Sequence, residues 1–204
     1  MDTPFPFGFP AASAFYLTTY VVTLSIHVAF MNYVLGGSAV VAALGRGPWK
    51  PVGVLKDWLP LMLSGAITAG VAPLLFVQIL YKQSFYTANL LLFHRWMLIV
   101  PVLIGGFYAF YLMKSGWLAR RPGWVKSAVT AVPFAAIAFV GYSWTENHLL
   151  SVRGQAYWAE FYAGDRPVYS EPQLVPRLLV WAFGSLPTTA VLLGWQIWYR
   201  GWHD

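Results

Sequence analysis

The chain has no cysteine, and only seven of its 204 residues are acidic. The first absence excludes disulfides, thiolate metal sites, iron–sulfur ligation and a covalently attached c-type haem carried by this chain. Charge of either sign is scarce, at 10% of residues against about 25% in a soluble domain. What fills the space is apolar: 58% of residues are hydrophobic and the mean hydropathy is +0.57. This is the composition of an integral membrane protein. There is no repeat, no low-complexity tract and no stretch that reads as a soluble domain, so residues 1–204 are read as a single transmembrane domain. A net charge of +6 would suggest nucleic acid in a soluble protein. Here the basic residues sit in short connections with a topological explanation, and no nucleic-acid role follows. The opening MDTPFPFGFP lacks a basic n-region and leads into a long apolar segment, which predicts a retained helix rather than a cleaved signal.

A window of about 20 residues finds five apolar spans, at about 13–44, 58–81, 88–113, 127–146 and 175–199. The fold class expected is therefore all-α, a polytopic transmembrane helix bundle. The connections GRGPWKPVGVLKD and KSGWLARRPGWVK hold Arg46, Lys50, Lys56, Lys114, Arg120, Arg121 and Lys126, and Arg200 ends the fifth span. The other side has Lys82, Arg153, Arg166 and Arg177, partly balanced by Glu146, Glu160, Asp165 and Glu171. The positive-inside rule then predicts an outer N-terminus and a cytoplasmic C-terminus. The longest connection, 147–174, falls on the outer side. Its QAYWAEFYAG places Tyr157, Trp158, Phe161 and Tyr162 on one face of a short interfacial helix. That face reads as an aromatic belt, or else as a docking surface for a periplasmic partner or a cap over a cofactor.

Ionisable groups within the spans are costly and usually retained for a ligand or a pathway. NLLLFHRWMLIV, residues 89–100, contains two of them side by side, His94 and Arg95. His94 lies about six residues into its span, roughly 10 Å deep at 1.5 Å per residue. His27, in the over-long first span, reaches a compatible depth. Two imidazoles on different helices facing a common interior suit the iron of one six-coordinate b-type haem, and Arg95 suits its propionates. A structural hydrogen bond is the plainer reading of each histidine. Gly36, Gly37 and Ser38 below His27, with Ser64, Gly65, Ala69 and Gly70 on the second span, leave room for a planar ligand or simply allow close helix packing. In SWTENHLL, Trp144, Glu146 and His148 are candidates for quinol binding and proton acceptance, or form a polar helix end. His148 is also an alternative partner for His94. His203 is expected to be exposed and without function. A channel or transporter lined by His94, Arg95 and Gln78 is a further class, opposed by the odd number of spans and the lack of inverted repeats.

The run HVAFMNYVLGGSAVVAAL followed by WLPLMLSGAITAGVAPLLFVQILYKQSFYT resembles the start of subunit I of cytochrome bd-type quinol oxidases. In that family a haem-ligating histidine of the first helix is followed nine residues later by Gly, and the second helix carries Gly-Val-Ala. Here His27 and Gly36 have that spacing, and Gly70, Val71 and Ala72 stand at the second motif. The resemblance implies that His27 holds haem. It continues more weakly through SWTENHLL and EPQLVPRLLVWAFGSLPTTA. Gln78 occupies the place of a family Glu, and Trp181 and Phe183 lie near the family's second haem-binding histidine. The later helices with their Met ligand and quinol loop have no counterpart. What the resemblance implies is a small bd-like cytochrome b in the inner (cytoplasmic) membrane of a prokaryote, with oxygen reduction by this chain alone not expected. The expectation is an electron-transfer subunit with one bis-histidine haem b on His27 and His94. It would pass electrons from quinol to a periplasmic cytochrome c or other redox subunit, inside a complex with other membrane subunits and surrounded by membrane lipid. The alternative is a cofactor-free structural or anchoring subunit of such a complex.

Overall fold

In a lipid environment no hydrophobic force drives helices together, because the tails are as apolar as leucine. Backbone groups must nevertheless be satisfied internally. The computed structural model, which describes residues 11–47, 49–164 and 171–201, meets both conditions with helices alone and has no strand among the described residues. The helices are α1 (Ala11–Leu44), α2 (Lys50–Leu80), α3 (Lys82–Leu91), α4 (Phe93–Met113), α5 (Gly116–Ala119), α6 (Gly123–Ser151), α7 (Gln155–Tyr162) and α8 (Leu174–Tyr199). Five of them, α1, α2, α4, α6 and α8, are long and apolar enough to cross a membrane. Asp165, Arg166 and His203 lie outside the described residues.

The helix boundaries depart from the sequence reading at three places, each with a local cause. α2 starts at Lys50 rather than near 58, with Pro51 in its first turn, where the missing N–H costs nothing. α6 covers 123–151 rather than 127–146, because its polar end stays helical through partners on α3 and α4. The expected span 88–113 is two helices broken at Leu92, whose φ of −103° and ψ of 23° leave the helical range. Neither Gly nor Pro marks this break. It lets α3 lie against α6 and α7 while α4 takes its own course along α6.

Packing depends on small residues at close approaches. α1 is central, lying along α2, α8 and α6, whereas α4 packs chiefly on α6. Gly37 of α1 sits against Leu55 and Leu59, and Gly36 faces the Ser185 backbone and Thr189 of α8. Gly106 brings α4 onto Ala136 of α6. Side chains supply interhelical bonds as well: Tyr33 Oη donates to Gln196 Oε1 at 2.6 Å, and Thr189 Oγ1 to the Asn32 carbonyl at 3.1 Å. The main buried cluster contains Tyr33, Val34, Val41, Leu55, Leu59, Phe110 and Ile137. A smaller one, Ala88, Leu92, Leu149, Leu150 and Trp158, closes the opposite end.

The two ends differ in charge. At one, Asp57 meets Lys114 at 3.2 Å and Arg200 at 3.4 Å, and Lys56 Nζ donates to the Gly45 carbonyl at 2.9 Å. At the other, Arg153 pairs with Glu171, and α7 is pinned by the indole of Trp158 donating to the Leu150 carbonyl at 2.8 Å. The short aromatic helix expected from QAYWAEFYAG is thus present as α7. Trp158 faces inward, and Tyr162 remains exposed.

Candidate functional site

α6 carries a polar turn into the bundle where α3 and α4 meet it. Glu146 has no exposed side-chain surface, and it forms an ion pair with Arg95, whose side chain keeps 36% exposure. Four residues earlier on the same face of α6, Tyr142 completes the cluster. Arg95 Nη1 donates to Tyr142 Oη at 3.1 Å, and Tyr142 Oη donates to Glu146 Oε1 at 3.3 Å. The guanidinium also lies 5.0 Å from the Tyr142 ring centroid. A carboxylate buried alone in lipid would be prohibitive, and a paired one with an added hydrogen bond is tolerated.

An aromatic wall adjoins the pair. Trp144 stacks on Trp96 with ring centroids 5.5 Å apart, and Phe85 meets Trp96 edge-on at 5.9 Å. Asn147 Nδ2 donates to Asn89 Oδ1 at 2.6 Å, tying α6 to α3. Of the three residues named in SWTENHLL, Glu146 pairs with Arg95, Trp144 stacks on Trp96, and His148 is exposed, on a different face of α6 from Glu146. His148 and Glu146 therefore do not share a site in this arrangement.

The two intramembrane histidines occupy different surroundings. His27 lies between α1 and α2, with Nδ1 2.8 Å from the Ala66 carbonyl. As the donor in that bond, Nδ1 carries the proton, which makes Nε2 the unprotonated nitrogen; Nε2 has no protein partner among the described residues. The ring passes directly over Gly70, where a Cβ would come within 2.8 Å of Cε1. His94 stands in the first turn of α4, exposed, with its ring beside Phe93. The structure thus brings Arg95 to Glu146 and gives His27 and His94 different immediate neighbours.

As a fit to a haem, this donor set is uneven. A histidine whose Nδ1 proton is held by a backbone carbonyl is in the usual state of a metal-ligating imidazole, and His27 meets that requirement. Arg95 has its charge answered by Glu146 within the chain. Gln78, the third residue of the transport reading, accepts from Tyr86 Oη at 3.2 Å at an exposed position.

Sequence reasoning missed Tyr142, Trp96 and the Asn89–Asn147 bond. A usable signal was present for the ion pair: Glu146 is the one carboxylate between residues 58 and 159, so an intramembrane Arg95 had no other nearby in sequence.

No protein-family model, curated protein or solved structure matches this chain. The fold itself defines a multi-pass helical membrane protein whose apolar helix faces contact lipid.

Proposed function

We propose that the chain is a membrane-embedded b-type cytochrome subunit that carries electrons between quinol and a periplasmic redox partner within a larger complex. The proposal includes the bd-like lineage, the outer N-terminus and the prokaryotic inner membrane. The observation that supports it best is the state of His27: its ring is oriented by the Ala66 carbonyl, faces a glycine and offers a free Nε2. When bound, a haem would supply a one-electron couple that no side chain of this chain provides. His27 would hold it by Nε2, and Ala66 would fix the ring's tautomer and tilt. His94, exposed on α4, faces the surface where another subunit of the complex would dock. Glu146, with Arg95 and Tyr142 around it, would accept a proton from a quinol bound between α4 and α6.

A second reading, the cofactor-free structural subunit, draws on the same ion pair. Arg95, the propionate partner in the sequence-based expectation, is engaged by Glu146, and α4 and α6 are locked together by that contact.

A reduced-minus-oxidised absorption spectrum of the purified membrane protein, with a pyridine haemochrome assay, separates the two. A b-type α band absent from His27→Ala supports the cytochrome. A flat spectrum from intact protein supplied with haem favours the structural subunit.

A further inference from the structure

Towards the basic end of the bundle, α4 and α6 together line an apolar groove. It has a volume of about 570 Å3 and is lined by Gly105, Tyr108, Leu112, Ser115, Val129 and Val132 among others. Gly105 is part of its lining, and a Cβ built there meets nothing within 4 Å, so a larger side chain at 105 has room to enter the groove. Tyr108 and Tyr111 stand exposed at its sides, and Ser115 lies at the end where α4 gives way to α5.

Immediately beyond that end comes the connection KSGWLARRPGWVK, with Arg120, Arg121 and Lys126. Among the described residues none of these three has a carboxylate partner; Arg121 instead lies 4.3 Å over the ring of Trp117. Lys114 is the exception, held by Asp57 at 3.2 Å. No acidic residue occurs anywhere from 58 to 145. The segment is therefore a cluster of positive charge without a carboxylate partner among the described residues, next in sequence to the end of a lipid-facing groove. Exposed Trp117 and Trp124 flank it, at the level where indoles anchor to a membrane interface.

We infer that this corner binds one anionic phospholipid, with an acyl chain in the Gly105 groove and the phosphate among Arg120, Arg121 and Lys126. The two halves of the site are complementary to the two halves of that molecule. An apolar chain fills a groove without polar demands, and the headgroup meets cations that no carboxylate among the described residues neutralises. A protein helix laid in the same groove would bring no negative charge to the cations. The inference is independent of whether the chain carries haem.

The test uses the full chain in detergent, titrated with phosphatidylglycerol or phosphatidylcholine of identical acyl chains and read by native mass spectrometry. One phosphatidylglycerol is expected to bind at least about tenfold more tightly than phosphatidylcholine. Attraction of a basic residue to an anionic membrane surface is worth roughly fivefold in affinity. The triple variant R120Q/R121Q/K126Q is therefore expected to lose the preference for phosphatidylglycerol, with little change for phosphatidylcholine. Gly105→Phe, which fills the groove, is expected to weaken both lipids; Gly105→Leu replaces it if circular dichroism shows that the Phe variant does not fold. Equal binding of the two lipids by the parent chain overturns the proposal. So does phosphatidylglycerol binding that is undiminished by filling of the groove, which would reduce the site to diffuse surface charge.

Discussion

Arg95 of α4 and Glu146 of α6 form an ion pair whose carboxylate is wholly buried and whose guanidinium remains partly exposed. The contact crosses the main α4 interface and is braced by Tyr142, which bonds both partners. It gives an intramembrane arginine a structural partner within the same chain. It also gives the bundle one feature whose removal has a calculable sign.

Loss of one partner leaves the other unpaired in a low-dielectric site, which costs more than loss of both. Glu146→Ala is expected to destabilise the folded protein by about 2 kcal/mol, below the range for a fully buried pair because Arg95 is partly exposed. The double variant R95M/E146L is expected to recover most of that loss. Thermal unfolding in detergent, followed by tryptophan fluorescence, measures both. A double variant no better than Glu146→Ala would contradict the account.

His27 and His94 separate in the spectroscopic test. Because His27 is oriented by the Ala66 carbonyl whereas His94 stands exposed beside Phe93, His27→Ala is expected to abolish a b-type α band, while His94→Ala retains it in the isolated chain. Loss of the band in both variants would mean that His94 is also a ligand of the iron.

Gly36 is a packing prediction without cofactor content. A methyl group there would lie 2.9 Å from the Ser185 backbone oxygen, which cannot swing aside, and would also meet Thr189 Oγ1. Gly36→Ala is expected to cost about 1–3 kcal/mol through forced separation of α1 and α8. At Gly105, where a Cβ meets nothing, Gly→Ala is expected to be neutral or slightly stabilising, since alanine is the better helix former. Melting temperatures of the two alanine variants compared side by side decide the point.

Tyr33 is fully buried, and its hydroxyl donates to Gln196 Oε1 at 2.6 Å. Gln196 Nε2 has no hydrogen-bond partner among the described residues, so this bond is the amide's one visible anchor. Tyr33→Phe is expected to cost about 1–2 kcal/mol, because the amide oxygen is left unsatisfied in the core. Adding Gln196→Leu is expected to remove most of that penalty. A double-mutant cycle on unfolding free energies reads the coupling directly, and a coupling near zero would show that water replaces the bond.

Much of this architecture was legible before any coordinates. Twenty-residue apolar runs must cross the bilayer as helices, because no other single segment satisfies its own backbone in lipid. The five spans follow from that rule, and four of the five lie where hydropathy puts them apart from their ends. The break at Leu92 was invisible because its residues are as apolar and helix-compatible as their neighbours. Only the docking of α3 on α6 and α7 selects it.

The candidate site divides along the same line. Composition decides that ionisable groups in the spans are few and therefore informative, and it singles out His27, His94, Arg95 and Glu146. Helix rotation decides what each of them touches, and rotation is set by where glycines let helices approach rather than by any single segment's sequence. Gly37 and Gly70 turn α1 so that His27 faces α2, while Gly106 seats α4 on α6 so that Arg95 reaches Glu146. The sequence by itself determined that this is a five-span helical membrane protein with a handful of intramembrane polar groups. Which of those groups became partners was decided by the tertiary structure alone, because side-chain reach across a helix interface depends on a close approach that periodicity does not encode.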